Sequence, residues 1–266
     1  MKIGVSTLAI NDKNISENLE FLEGLNIEYL EILNEFPNNI IDIDLLNSYD
    51  FKYTVHSQII DLNIASLNKM IQKTSIGEIK KSIDLANELN SDIVAVHPGS
   101  IPFLARPYEN KVLAKCRESL IVCGNYANDY GINIAIENMP NIEGFIYQDI
   151  NKLNDLLISI DMSMTLDIAH AATCGFLENQ MYFESVKHIH LSDNNHDFDM
   201  HYSLGEGSID FKTAIDIFEK NNYDGVYVIE VNDKQSIVKS IDYLKKIIWF
   251  LFYFNSYYIG YILLLY

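Results

Sequence analysis

Arginine is almost missing from this chain of 266 residues, which has only Arg106 and Arg117. Lysine and arginine together number 19 against 37 aspartates and glutamates, for a formal charge of −18. Phosphate-backbone binding runs on Lys and Arg, so this balance argues against a nucleic-acid partner, short of a local basic strip or bound cations. Cysteine is scarce too. Cys116, Cys123 and Cys174 are odd in number and lack CxxC spacing, which excludes a disulfide framework or zinc ribbon and fits a reducing, cytoplasmic setting. Cys116 and Cys123 lie seven apart on an expected helix and read as buried small apolar residues. The opening MKIGVSTLAI has no basic region followed by a cleavage site, so no signal peptide is expected. No GxGxxG follows the first strand candidate, which disfavours a dinucleotide-binding sheet.

What is present is apolar material in short, repeated blocks. Hydrophobic residues make up 48% of the chain and charged residues 21%, enough for a sizeable core. Strands are expected at Ile3–Ser6, Ile27–Ile32, Tyr53–His56, Ile93–His97, Ile132–Glu137, Ser163–Asp167, His188–Leu191 and Val226–Val231. Amphipathic helical spacing fills Ile15–Leu25, Ser66–Leu89, Val112–Tyr130, Ile150–Ile158, Phe211–Asn221 and Ser236–Ile248. Near-continuous apolar strands alternating with helices predict a parallel sheet covered by helices, and eight of them predict a closed (β/α)8 TIM barrel. The α/β fold is expected to occupy residues 1–248 as a single domain.

Residues 249–266 are expected to form an apolar C-terminal tail. From Ile247 the chain runs IIWFLFYFNSYYIGYILLLY without a charge, long enough to span a bilayer, with Lys245 and Lys246 on the cytoplasmic side. Asn255, Ser256 and the many aromatics make it an irregular span. Membrane contact through 247–266, an oligomer-forming surface and an aberrant end of the reading frame all stay open.

Chemistry-bearing residues fall at the ends of the expected strands. His56 ends the third, His97 the fourth, Glu137 the fifth, Asp167 the sixth with His170 three residues on, His190 the seventh and Glu230 the eighth. The loop after the seventh strand adds Asp199 and His201. In a barrel of this type all strand ends open on one face, where active sites are assembled. A lone histidine at a strand end is ordinarily a hydrogen-bonded rim residue, and a lone buried glutamate a structural ion pair. Six consecutive strands ending this way is different, because the carboxylates would repel one another and carry a large desolvation cost. A divalent cation resolves this, and mixed nitrogen and oxygen donors suit zinc, manganese, cobalt or iron better than calcium.

The ordered set VHS, HPGS, IEN, LDIAHA, HLSD, DMH…LGEG and VIEV resembles the xylose-isomerase-like barrels, which include sugar isomerases and epimerases and also endonuclease IV. The resemblance covers about residues 1–248. In the isomerase and epimerase branch it implies one divalent metal (Zn, Mn, Co or Mg) on Glu137, Asp167, His190 and Glu230. Glu137 and Glu230 would then move a proton through a metal-stabilised enediolate of a small carbohydrate-type substrate, with His170 on a substrate oxygen. His196 stands where several epimerases place an arginine. In the endonuclease IV branch the resemblance implies three zinc ions. His56, His97 and Glu137 would hold the first; Glu137, Asp167, His190 and Glu230 the second; and His170, Asp199 and His201 the third. All nine positions carry the right residue type. The chain departs from that branch in lacking its glycine-rich segment after the first strand, its lysine between His190 and Asp199, and arginine-rich loops. The expectation is therefore a metal-dependent sugar or sugar-phosphate isomerase or epimerase, with an AP-endonuclease-like zinc phosphodiesterase as the alternative. Pairing into a homo-oligomer is also what the resemblance implies. Among neighbouring residues, His188 is expected to bond behind His190, Gly205 and Gly207 to serve a tight turn, Ser100 to sit in a simple turn, and Asn138 to orient a ligand.

Overall fold

A computed structural model describes residues 1–10, 15–36, 38 and 42–249. Eight parallel strands close in chain order into a barrel, with β1 paired to β8. The strands are β1 Lys2–Ser6, β2 Tyr29–Leu33, β3 Lys52–His56, β4 Ile93–Val96, β5 Asn133–Glu137, β6 Ser163–Asp167, β7 Val186–Leu191 and β8 Val226–Ile229. The helices are α1 Ile15–Glu23, α2 Ile43–Leu46, α3 Lys69–Glu88, α4 Glu109–Asn128, α5 Ile150–Ile160, α6 Ile168–Thr173, α7 Phe211–Lys220 and α8 Lys234–Trp249. Every expected strand is present within two residues at its ends. His97 and Glu230 lie one residue past β4 and β8. Helices α2 and α6 have no counterpart in the expected set, because four and six residues are too few to show a helical period.

The strands separate two kinds of side chain. One alternation set is aliphatic and buried: Leu30, Ile32, Val55, Val94, Val96, Ile134, Ile136, Leu166, Ile189 and Ile229. Together with the helices it forms a continuous hydrophobic core. The other set points into the barrel and is small or polar, since Glu31 of β2 reaches Thr54 of β3 and His188 of β7. The pleat therefore divides stability from chemistry residue by residue. Helix α7 shows the packing side: Phe211, Ala214, Ile215 and Phe218, at spacings of three and four, are its buried face. Helix starts are fixed by side chains. Asn68, Asp149 and Asp210 accept backbone N–H groups at the first turns of α3, α5 and α7, each cap contributing about 1 kcal/mol. No described helix is long and apolar enough to cross a membrane. Helix α8 is described as far as Trp249, and the rest of the apolar tail, with the expectations attached to it, lies outside the described residues.

Candidate metal centre

The barrel gathers the strand-end residues at one mouth. Parallel pairing sets Asp167 beside His190, and Glu137 and Glu230 follow from β5 and β8. His190 Nδ1 lies 3.3 Å from Glu137 Oε1 and 3.1 Å from Glu230 Oε2. Glu137 Oε2 lies 3.1 Å from Nε2 of both His56 and His97, so its two oxygens face different imidazoles. Above this, Asp199 Oδ2 lies 3.2 Å from Nε2 of both His170 and His201. Among the described residues, three of the four groups whose donor atoms lie within 4.8 Å of one another are made of these side chains: His56, Glu137 and His190; Glu137, Asp167, His190 and Glu230; and His170, Asp199 and His201. All nine residues named from the sequence take part in these contacts.

The spacing has a physical meaning. Donors held at 2.0–2.1 Å from a tetrahedral zinc ion stand about 3.3 Å apart. The contacts above, at 3.1–3.3 Å, are held by protons here and are also close to the edges of such a polyhedron, so an ion could replace those protons with little movement of the donors. Asp167 Oδ2 and Asp199 Oδ1 are buried without a hydrogen-bond partner, a costly state for carboxylate oxygens that a cation would relieve. The residues present therefore fit a divalent metal, and imidazole with carboxylate suits zinc, manganese or cobalt.

Protonation tells the same story. Burial opposes ionisation of Glu137, yet the charges of His190 and His97 hold its carboxyl well below the usual range. Burial also opposes the charged form of His56, but its bond to Glu137 and the charges of Glu137 and Glu230 raise it to about 9. His201, likewise buried, is raised to about 9 chiefly by its bond to Asp199 and the charge of Glu230. Burial pushes Asp167 up to about 6, against the charge of His170. Burial lowers His97, against the opposing pull of the Glu137 charge. Protons on histidine thus balance the carboxylates, and a cation would displace them.

Positions are fixed by bonds to the backbone. Asn138 donates to the Asp167 carbonyl and accepts from the Asp167 N–H, tying β5 to β6, while its own carbonyl lies 2.8 Å from His170 Nδ1. It orients two members of the centre, in line with its expected role. Asp193 accepts from the N–H groups of Asn194, Gly205, Gly207 and Ile209, so one carboxylate staples the loop that carries Asp199 and His201. Gly205 takes φ +84, as a tight turn requires, whereas Gly207 is needed for close approach: a Cβ there would stand 2.3 Å from the Asn194 carbonyl. His201 itself takes φ 48, a left-handed conformation uncommon outside glycine. The Ser100 N–H is taken by Asn63 Oδ1, consistent with a turn and not an anion site. His196 bonds locally through its N–H to Asn194 and sits at φ 61.

One buried acid was missed. Glu31 of β2, fully buried, lies 2.6 Å from His188 Nε2 and 3.2 Å from His190 Nε2. The signal for it was a glutamate in the middle of the apolar run YLEIL.

Comparison with known proteins places this arrangement. The model of the family described as xylose isomerase-like TIM barrel matches residues 43–247. Protein MJ1311 of Methanocaldococcus jannaschii is 35% identical over 260 residues, covering 92% of this chain and 89% of the relative. The crystal structure of a D-tagatose 3-epimerase-like protein aligns at TM-score 0.87 and 32% identity, over 94% of this chain and 98% of the other. A probable endonuclease 4 of Thermoplasma acidophilum is 26% identical over 181 residues, 60% of this chain and 61% of that protein.

Proposed function

Because this chain belongs to the xylose isomerase-like TIM barrel family, we propose that it is a divalent-metal-dependent isomerase or epimerase acting on a small carbohydrate-type substrate. The observation that carries this reading is the convergence of Glu137, Asp167, His190 and Glu230 within 4.8 Å at the barrel mouth. A bound divalent ion would act as a Lewis acid, raising the acidity of the C–H next to a substrate carbonyl. Glu137 and Glu230 are the proton carriers. They come from strands three apart in the barrel, and both carboxyls are held below the usual carboxylate range, Glu137 strongly, so each rests as a base. With Nδ1 of His170 turned to the Asn138 carbonyl, Nε2, which faces Asp199 here, is the ring nitrogen that would reach a substrate oxygen.

The surroundings favour a small, uncharged ligand. Among the described residues of the loops leaving the strand ends, Arg106 is the only Lys or Arg, and it is paired with Glu143 at 2.6 Å. Such a rim offers little to a phosphodiester backbone. A second reading, three-metal phosphoester hydrolysis, is favoured by two specific features. The oxygens of Glu137 are split between two imidazole sets, and His170, Asp199 and His201 form a complete further group.

The test is incubation of the metal-loaded protein in deuterated water with a panel of ketoses and their C3 epimers. Deuterium entering the carbon next to the carbonyl, and lost in Glu137→Gln and Glu230→Gln, is the expected result. No wash-in across the panel, together with metal-dependent hydrolysis of bis-(p-nitrophenyl) phosphate, would replace this reading with the second.

A further inference from the structure

The centre does not end at its mouth. Inside the barrel, Glu31 is fully buried and faces two histidines of β7, His188 and His190. Its Oε2 accepts from Thr54 Oγ1 at 3.1 Å and from His188 Nε2 at 2.6 Å. Its Oε1 lies 3.2 Å from His190 Nε2, within ion-pair distance, and both atoms are buried without a hydrogen-bond partner. The opposite ring nitrogen of His190, Nδ1, is the one that faces Glu137 and Glu230.

Two explanations compete for this trio. Its donor atoms lie close enough together to suggest another ion. The spacing decides against that. At 2.6 Å, the gap between Glu31 and His188 is a hydrogen-bond length, shorter than the edge of about 3.3 Å that two donors on one zinc ion subtend. A hydrogen bond spans that gap and ties His188 to the carboxylate as a brace. This leaves Oε1 of Glu31 for His190.

We infer that Glu31 is a positioning residue for the metal centre: its carboxylate receives the Nε2–H of His190, fixing the ring so that Nδ1 presents its lone pair to the ion. A carboxylate behind a ligating imidazole sets its tautomer, holds its orientation and raises its basicity. Here the support crosses the barrel from β2 to β7, so the geometry of the centre depends on closure of the sheet. The inference rests on the metal-centre reading, and it holds for one ion or three.

The experiment is competition of Co(II) and Zn(II) between a fluorescent chelator and the full chain, as wild type and Glu31→Gln, with the Co(II) absorption spectrum recorded alongside. Glu31→Gln keeps the size of the side chain and removes the charge. The expected result is a loss of about 10- to 100-fold in affinity with an altered Co(II) spectrum, while His188→Asn, which spares the Glu31–His190 contact, loses less. Unchanged affinity and spectrum in Glu31→Gln overturn the role of Glu31 alone. Absence of metal binding by the wild type overturns the metal-centre reading with it. A further measurement needs no variant: proton NMR of the Zn-loaded wild type should show a low-field, slowly exchanging N–H assigned to His190 Nε2. An unprotonated Nε2 there would overturn the inference.

Discussion

The strand-borne and loop-borne parts of the centre are built on different foundations. Glu137, Asp167 and His190 sit within the sheet, at most 1% exposed, with the backbones of Asp167 and His190 paired directly. Asp199 and His201 hang on a loop, their side chains 15% and 19% exposed, and are held mainly through Asp193 and a bond from His201 Nδ1 to the Glu230 carbonyl. A site on strands inherits the rigidity of the barrel, whereas one on a loop depends on local staples. The two groups are therefore separable: sheet pairing sets the strand-borne donors, and the loop's own hydrogen bonds set the other two.

The largest effect that would break this comparison is at its shared member. Glu137→Gln is expected to lower turnover by about a thousandfold or more, since on the proposed function it removes a proton carrier and a metal donor at once. Steady-state rates on any substrate found by deuterium wash-in check this, and full activity would show the centre to be misassigned. Gly207→Ala comes next. Its Cβ would meet the Asn194 carbonyl and Asp193 Oδ1 at 2.3 Å, so the loop must shift. A cost of about 1–3 kcal/mol in thermal unfolding is expected, with loss of any ion held by His201 but not of the strand-borne one. Elemental analysis would contradict the separation if both were lost together.

Acidity gives a gentler separation. His56 and His201 are raised from about 6.5 to about 9, so in the metal-free protein their stabilising charge is fully present below the unfolded value and disappears as pH climbs through 9. Metal-free protein should therefore lose stability between roughly pH 6.5 and 9, while metal affinity rises over the same span as those protons leave. Denaturant titrations with and without chelator measure both, and a metal-free protein that gains stability across that window would reverse the sign. The smallest effect is expected at Arg106→Ala. Its partner Glu143 is 79% exposed, so the pair contributes less than about 1 kcal/mol, and turnover of a neutral sugar should be unaltered. A large rise in KM would show that the substrate carries an anionic group.

The sequence foretold the mouth of this barrel better than its axis. His56, Asp167 and His190 are visible because a polar residue closing an apolar run is conspicuous, and the closed topology brings all such ends to one face. His97 and Glu230 are found the same way although they fall just beyond their strands. Glu31 is hidden for the opposite reason. A glutamate alternating with leucine and isoleucine looks like the outer face of an exposed strand, and only closure makes that face an enclosed lumen. Asp193 is similarly opaque, because its worth lies in backbone N–H groups 12 to 16 residues away, which no spacing rule announces. Helices α2 and α6 escape notice because they are shorter than two turns.

The most direct test is metal content per chain, measured on protein purified without chelators, for the wild type, His201→Ala and Glu230→Gln. The account predicts that His201→Ala keeps its strand-borne ion and that Glu230→Gln loses it. If His201→Ala strips the protein of all metal while Glu230→Gln retains it, the strand-borne group is not the heart of the centre, and the account fails.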